Sequence, residues 1–250
     1  MRSTWTGPIT LLDGGAVSVD LLVIVPTRGR PDNLRRLVDA FRLTGAWECA
    51  RLMAAVDADD PEIGRYRDIA GQDVGLFEIP EWKPMVPKLD AAAVSVADHY
   101  YALGFMGDDH VPRTKGWAQR YVDALRDLGT GIVYGNDLLQ GPRLCTQWAM
   151  TSDIVRALGR MVPAPCEHLY SDNSVMALGA HARCIRYLDD VVIQHCHPFA
   201  GSGEWDDQYR RVNSDGQYRR DKQAYVQWTR TGLMDDVAKV RQLREAACQT

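Results

Sequence analysis

Apolar residues along the chain follow two patterns that predict different elements. The run at 21–25 is apolar without interruption, which is typical of a short strand buried on both faces. Apolar residues at 34, 37, 38 and 41 recur at helical spacing, and 51–56 repeats the strand pattern. The order strand, helix, strand predicts an α/β fold built on a parallel sheet.

The same two patterns continue towards the C-terminus. Strands are predicted at 101–106, at 132–134 and within 184–197, and helices at 88–97, 117–128, 151–158, 171–178 and 221–247. Thr151 or Ser152 is the expected cap of helix 151–158, and Gly159 its end. Residues 199–220 have the composition of a loop or lid. We expect a main domain over residues 1–200 and a C-terminal lid or helical extension over 201–250, packed on the same domain.

Composition and charge narrow the function classes. The 250 residues are 46% hydrophobic and 25% charged, which is enough apolar material for a sizeable core. The net charge of −4 gives no general attraction to nucleic acid or to an anionic membrane. The N-terminus lacks the apolar segment of a signal peptide, and the run at 21–25 is too short to span a bilayer. We therefore expect a cytoplasmic protein without a membrane partner.

The cysteines are too scattered to form a metal or disulfide framework. They stand at 49, 145, 166, 184, 196 and 248, and no two are spaced as CxxC. We expect reduced and mostly buried thiols.

Polar residues gather where the predicted strands end. Thr27 and Arg28 follow the first strand, a run of acids at 57–60 follows the second, and Asp108 and Asp109 follow the strand at 101–106. Ligands of open α/β sheets bind beyond these carboxyl ends. Two consecutive acids on an extended segment point to opposite faces, so one would bind a cation and the other would orient a sugar hydroxyl or a water. A solvated turn explains the sequence Gly-Asp-Asp equally well.

Two late histidines form a second candidate cluster. His195 and His197 are two residues apart on a predicted extended segment, hence on one face, and Pro198 favours that conformation. This geometry suits a metal ligand beside a second polar contact. A pair of structural histidines held by hydrogen bonds is the alternative.

These segments, in this order, resemble a known enzyme family. The sequence VIVPTR at 23–28, the acids after the second strand, Gly107-Asp108-Asp109 and the late Asp172, His195 and His197 resemble GT-A fold glycosyltransferases, most closely family 2. The segment 104–117 also resembles glycosyltransferases encoded by bacteriophages. The resemblance covers about residues 20–200. It implies a Rossmann-like nucleotide-diphospho-sugar transferase fold with a mixed, mainly parallel sheet flanked by helices.

The resemblance also implies roles for individual residues. Asp109 would bind a divalent cation and Asp108 would contact the ribose or lie beside the ion. His195 would complete the metal site, and His197 is the second candidate for that role. Oxygen and imidazole ligands beside a diphosphate suit Mn²⁺ or Mg²⁺.

Nucleotide binding and base catalysis are assigned by the same resemblance. Thr27, Arg28, Asp57 or Asp59, and Lys88 would recognise the nucleotide, although Arg28 and Lys88 fit equally as surface charges and a turn explains Asp59. Asp172 would be the catalytic base at the start of a helix, where the helix dipole keeps a carboxylate ionised. An ordinary acid at a helix start is the alternative.

The resulting hypothesis is a metal-dependent, inverting transfer of a hexose from a UDP- or GDP-sugar to a hydroxyl acceptor. The acceptor is a phage or host protein, a glycan or a modified DNA base, and the charge of −4 favours the first two. Aromatic and basic residues interleave between 205 and 228, which suits an acceptor platform or simply core packing. The alternatives are a sugar nucleotidyltransferase and a nucleotide-sugar binding module without catalysis.

Overall fold

The computed structural model describes residues 19–196 and 214–247. Its strands are β1 (Leu21–Pro26), β2 (Ala50–Asp57), β3 (Val74–Ile79), β4 (Ala102–Phe105), β5 (His110–Pro112), β6 (Ile132–Asn136), β7 (Trp148–Thr151) and β8 (Ile185–His195). Its helices are α1 (Pro31–Thr44), α2 (Ile63–Ile69), α3 (Met85–Val96), α4 (Trp117–Leu128), α5 (Ser152–Leu158), α6 (Ser171–Ala182), α7 (Asp215–Thr231) and α8 (Leu233–Ala247).

The strands of the described ranges form one eight-stranded sheet in the order β3-β2-β1-β4-β7-β6-β8-β5. Strands β3, β2, β1 and β4 run parallel, as do β6 and β8. Strand β7 is antiparallel to both neighbours, and β5 is antiparallel to β8. The predicted fold class, a mixed and mainly parallel sheet flanked by helices, is confirmed.

The sheet is covered on both faces, which explains the uninterrupted apolar run of β1. Leu21, Val23 and Val25 pack with α1, α2 and α4 on one face. Leu22 and Ile24 point the other way and pack with α3, α5, α6 and the C-terminal helices. All five side chains are at most 2% exposed. Two helical layers therefore hold the strand whose end carries Thr27.

The caps of α5 are close to the prediction, with one difference. The helix ends at Gly159, whose φ of 68° is the left-handed conformation that favours glycine. Thr151 occupies the N-cap position, but its side chain makes no cap hydrogen bond. Instead its hydroxyl accepts the N–H of Gly131 at 3.2 Å. The residue joins the helix start to the neighbouring strand.

Several short elements are absent from the sequence prediction. They are α2, β3, β5 and β7, of which β5 has three residues and β7 four. Such segments are too short to show a clear period. The loop predicted at 199–220 is wrong for residues 215–220, which begin α7. The helix predicted at 221–247 is two helices, because the chain turns at Gly232.

The C-terminal helices pack on α5 and α6. Trp228 on α7 and Val237 and Val240 on α8 are at most 4% exposed and belong to the core. Asp236 accepts hydrogen bonds from Trp228 Nε1 (2.9 Å) and from Arg160 (2.6 Å). In the described ranges, no helix is both long and apolar enough to span a membrane.

The five cysteines in the described ranges are unpaired, as expected for reduced thiols. Cys49, Cys145, Cys166 and Cys184 are buried, and Cys196 is half-buried. Burial raises the pKa of Cys49 and Cys184 to about 11. These thiols are therefore core residues rather than nucleophiles.

A buried carboxylate ties α3 to the loop after α5. Asp90 Oδ1 accepts the N–H groups of Met161 (2.8 Å) and Val162 (2.9 Å). Burial raises the pKa of Asp90 to about 6, against the opposing effect of those N–H groups and of Arg160. The folded chain therefore holds this proton more tightly than the unfolded chain does, and the stabilisation is lost as the pH rises from about 4 to about 6.

Asp90→Asn removes this titration and keeps an acceptor oxygen. We expect the free energy of unfolding of the variant, relative to that of the unchanged chain, to rise by about 2 kcal/mol between about pH 4.5 and 7.5. Urea denaturation at several pH values measures it. Asp98→Asn, at a side chain that is 81% exposed, is the control. A difference that does not change with pH would show that Asp90 keeps an ordinary pKa.

Candidate active site

A cleft of about 430 Å³ opens where the order of the parallel strands reverses. Strand β1 lies between β2 and β4, so the chain turns to one side of β1 after α1 and to the other side after α3. The loops that follow β1 and β4 diverge at this point, which is where open α/β sheets bind ligands. Segments 26–30, 82–88, 105–110 and 167–172 contribute to the lining, with Thr146, His195 and residues at the start of α7.

The cleft brings together seven of the predicted site residues from across the chain. These are Thr27, Arg28, Lys88, Asp108, Asp109, Asp172 and His195. Asp57 lies behind Arg28 and Lys88 and is fully buried. His197 lies outside the described residues.

A tight turn after β4 sets the direction of the two consecutive acids. The N–H of His110 donates to the carbonyl of Gly107 at 3.1 Å, and the N–H of Gly107 donates to His110 Nδ1 at 3.0 Å. A Cβ at Gly107 would lie 2.5 Å from Asp109 Oδ1 and 3.0 Å from His110 Nδ1. Glycine is therefore the residue that leaves room for the Asp109 carboxylate.

Asp108 points towards the loop after β1 and the start of α1. Its Oδ2 accepts the hydroxyl of Thr27 at 2.6 Å, and its Oδ1 lies 3.4 Å from both Arg30 and Asn33. Burial raises the pKa of Asp108, while Arg30 opposes the shift. The carboxylate thus joins the ends of β1 and β4.

Asp109 points the other way, towards two imidazoles. Its Oδ1 lies 3.3 Å from His110 Nδ1 and its Oδ2 lies 3.2 Å from His195 Nε2. Strand β5 pairs with β8 so that His110 is opposite His195, and their rings stack at 4.2 Å. The two acids therefore have different partners, as expected, but they diverge because they lie in a turn and not on the extended segment that the sequence suggested.

The charge states of Asp109, His110 and His195 are set by burial and by the contacts among these three side chains. Burial alone would raise the pKa of Asp109, but the neighbouring His110 ring and the hydrogen bond with His195 hold it well below its usual range. Burial lowers the pKa of His110, and the charge of His195 adds to this. Burial also acts to lower the pKa of His195, yet the hydrogen bond to Asp109 raises it. An ionised carboxylate thus lies beside one neutral and one readily charged imidazole.

These three side chains fit a divalent cation. One ligand atom from each lies within 4.8 Å of the others. Nε2 of His110 is buried, and no residue in the described ranges offers it a hydrogen bond. A carboxylate oxygen and two imidazole nitrogens are a donor set that suits Mn²⁺ and similar ions. His110 is a ligand candidate that the sequence analysis did not name, and His197 stays a prediction because it lies outside the described residues.

A buried ion-pair cluster lies on the other side of the cleft. Asp57 Oδ2 accepts Lys88 Nζ at 2.6 Å and Arg28 at 3.1 Å, while its Oδ1 accepts the N–H of Lys83 at 3.2 Å. Arg28 also pairs with Asp59 at 2.7 Å. Both oxygens of Asp57 are therefore engaged, and contact with a nucleobase through this residue stays a prediction.

In the loop after β1, the backbone N–H groups of Thr27, Gly29 and Arg30 donate to other segments of the chain. Asp60 accepts the N–H of Gly29 at 2.8 Å, and the Tyr66 hydroxyl accepts that of Arg30 at 2.8 Å. The N–H of Thr27 donates to the Ala55 carbonyl at 3.1 Å. This loop presents side chains to the cleft rather than a cradle of N–H groups.

Asp172 lies in the first turn of α6, at the opposite wall of the cleft. Its Oδ1 accepts the N–H of Asn173 at 2.8 Å. Burial raises the pKa of Asp172, against the effect of that N–H and of the charge of His195. A carboxylate with a raised pKa is a better proton acceptor when ionised.

The sequence reasoning missed His110, Arg30 and His168 as cleft residues. His110 directly follows Asp109, and this position beside the two acids is the only sequence feature that points to it as a site residue. Arg30 stands in the loop after β1, where it resembled an ordinary turn residue. Burial lowers the pKa of His168 to about 4, and this residue lines the cleft as a neutral imidazole.

Comparison with known proteins shows a shared fold. S. aureus TarS 1-349 in complex with UDP-GlcNAc matches with a TM-score of 0.53 at 10% identity, over 78% of this chain and 67% of that one. The mannosyltransferase PcManGT from Pyrobaculum calidifontis, in complex with GDP-Man and Mn²⁺, matches with a TM-score of 0.54 at 13% identity, over 92% and 75%.

A further structure of TarS 1-349 matches over 70% of this chain and 59% of its own length. Neither a protein-family model nor a curated protein matches the sequence. At these identities the likeness concerns the fold, which is that of GT-A glycosyltransferases.

The lack of room for a side chain at Gly107 allows a direct test of the geometry of the candidate metal site. We expect Gly107→Ala to lower Mn²⁺ affinity at least about tenfold, because the added methyl displaces the Asp109 carboxylate. Electron paramagnetic resonance of free Mn²⁺ during a titration measures it. Gly71→Ala is the matched control, since a Cβ at Gly71 meets nothing within 4 Å. Equal affinity in both variants would exclude the Asp109 carboxylate, as positioned here, from the metal site.

Proposed function

We propose that the chain is a metal-dependent glycosyltransferase that moves a hexose from a UDP- or GDP-sugar to a hydroxyl acceptor. The observation that carries the proposal is the group of Asp109, His110 and His195 in a cleft at the switch point of the sheet. Two proteins of the same fold bind fitting ligands, TarS UDP-GlcNAc and PcManGT GDP-Man with Mn²⁺.

Cationic side chains support an anionic donor. Arg28, Arg30 and Lys88 line the cleft on the side of β1 and α3. Arg28 and Lys88 are oriented by Asp57, and Arg30 by Asp108. Their charges would attract and hold the diphosphate of the donor. Thr27 is held by Asp108 and would contact the nucleotide from the end of β1.

Asp109, His110 and His195 are the residues that would hold the cation, with His197 a further candidate. A bound divalent cation would neutralise the charge that develops on the leaving diphosphate. The protein groups supply the orientation: His110 and His195 fix the Asp109 carboxylate from two sides.

Asp172 is the proposed catalytic base. It would accept the proton of the acceptor hydroxyl while that oxygen attacks the anomeric carbon and the bond to the diphosphate breaks. Glu167, His168 and Asp172 all line the described part of the wall opposite the donor cations. We assign the role of base to Asp172, as the resemblance implies, and propose a single displacement with inversion. The acceptor we propose is a hydroxyl of a phage or host protein or of a glycan.

The loop after β1 weighs against a sugar nucleotidyltransferase. Such enzymes hold phosphates with the N–H groups of a glycine-rich loop. Here the N–H groups of Thr27, Gly29 and Arg30 are taken by Ala55, Asp60 and Tyr66. Glycosyl transfer is therefore the favoured chemistry.

Donor hydrolysis tests the proposal without knowledge of the acceptor. We expect the chain to release UDP from UDP-GlcNAc or GDP from GDP-Man only when Mn²⁺ or Mg²⁺ is present. Asp109→Asn should reduce release at least about 100-fold, because the cation loses its anionic ligand. Asp39→Asn, an exposed substitution on α1, is the control. Nucleoside diphosphate is quantified by chromatography.

Each other outcome of the same assay has a defined meaning. Release of UTP or GTP from the same donor when pyrophosphate is added, with the pyrophosphate consumed, supports a nucleotidyltransferase. Thermal stabilisation by donor and Mn²⁺ without release supports a binding module. Full activity in Asp109→Asn would remove the proposed metal role of this residue.

A further inference from the structure

A buried carboxylate on a C-terminal helix holds the loop that leads to Asp172 and to the wall of the cleft on which Asp172 lies. Asp221 lies on α7 and is 1% exposed. Its Oδ1 accepts the N–H of Glu167 at 2.7 Å, and its Oδ2 accepts those of His168 (3.1 Å) and Leu169 (2.7 Å). Three consecutive backbone donors thus converge on one side chain that is more than 50 residues away in sequence.

The same loop is fixed from its other side by α3. The carbonyl of Glu167 accepts the N–H of Val86 at 3.0 Å. Gln217, one turn before Asp221 on α7, donates to Glu167 at 3.0 Å and to Asp221 at 2.9 Å. The loop is therefore clamped between α3 and α7, and the stronger half of the clamp is the charged one.

The clamped residues lead directly to Asp172. Tyr170 follows Leu169 and adopts a left-handed φ of 64° at the N-cap of α6, a conformation that a tyrosine keeps only when its surroundings impose it. The Ser171 hydroxyl donates to the His168 carbonyl at 3.3 Å. A shift of the 167–169 loop would therefore change the start of α6, where Asp172 faces the cleft.

We propose that Asp221 is a positioning residue that sets the placement of Asp172 in the cleft. The inference rests on the proposed function, since it concerns the base of that reaction. Asp221 itself is absent from the cleft lining in the described ranges, so it acts through the 167–169 loop. Within the described ranges, the hydrogen bonds of this carboxylate go to the 167–169 loop and to Gln217, and none goes directly to the ends of β1 and β4 or to α3, which form the proposed donor side.

Asp236 on α8 provides a matched control. It is also a buried carboxylate of the C-terminal helices, 4% exposed, and it accepts hydrogen bonds from Trp228 and Arg160. Its partners are Trp228 on α7 and Arg160 just after α5, neither of which lines the cleft in the described ranges. Asp→Asn at either position removes the same charge and leaves buried donors poorly satisfied.

The experiment compares Asp221→Asn with Asp236→Asn. We expect Asp221→Asn to lower kcat of Mn²⁺-dependent donor hydrolysis about 100-fold, with the Kd for UDP and Mn²⁺ changed less than about twofold. Asp236→Asn should keep kcat within about threefold at an equal or larger loss of Tm. Amide hydrogen exchange at 167–169 should accelerate in Asp221→Asn alone.

The outcomes separate this inference from the proposed function. Equal kcat in Asp221→Asn and the unchanged chain, or equal kcat losses in both variants, overturns the positioning role. No nucleoside diphosphate release by the unchanged chain overturns the proposed function, and the inference with it. If Asp221→Asn does not fold, Asp221→Glu decides: a lower kcat with unchanged donor Kd supports the role, and an unchanged kcat overturns it.

Discussion

The register of β5 against β8 is the constraint on which the site depends. The pairing sets His110 opposite His195, and it brings a residue next to the Asp109 turn into contact with one 85 positions later. Asp109 then lies between the two imidazoles. A slip of one residue between β5 and β8 would put the His110 and His195 rings on opposite faces, and the carboxylate would lose one of its two partners. The geometry of the candidate metal site is thus a property of strand pairing as much as of the side chains.

The sequence predicts the architecture well because both faces of the sheet are covered. Strands buried on two sides leave continuous apolar runs, and β1 and β2 are therefore visible without any structure. Five of the seven predicted site residues in the cleft lie at or just after a strand end, and strand ends in an α/β sheet meet at one edge; Lys88 and Asp172 reach the cleft from α3 and α6. Their individual roles stay predictions.

Other features depend on tertiary contacts that no local pattern carries. Strand β5 has three residues and exists because β8 pairs with it. The burial of Asp57 follows from Lys88 and Arg28, which reach it from other segments. Asp221 looks like an ordinary polar residue in a polar helix, and only the fold places it beside three backbone N–H groups. For the same reason, the sequence predicts a loop over 215–220, where the structure has the start of α7.

The two walls of the cleft are held by different interactions. This difference determines which wall tolerates amino-acid substitution. On the donor side, the backbone register of β1 and β4, the Thr27–Asp108 hydrogen bond and the buried Asp57–Lys88 pair fix the geometry within the sheet. Their loss would disturb the core itself. On the opposite wall, the 167–172 segment is an irregular loop and a helix start, tied to the rest by Asp221, Gln217 and Val86. Loops held on a rigid scaffold tolerate substitution more readily than the scaffold does. Under the proposed function, a change of acceptor arises on this wall while the proposed donor side stays intact, which separates the two specificities physically.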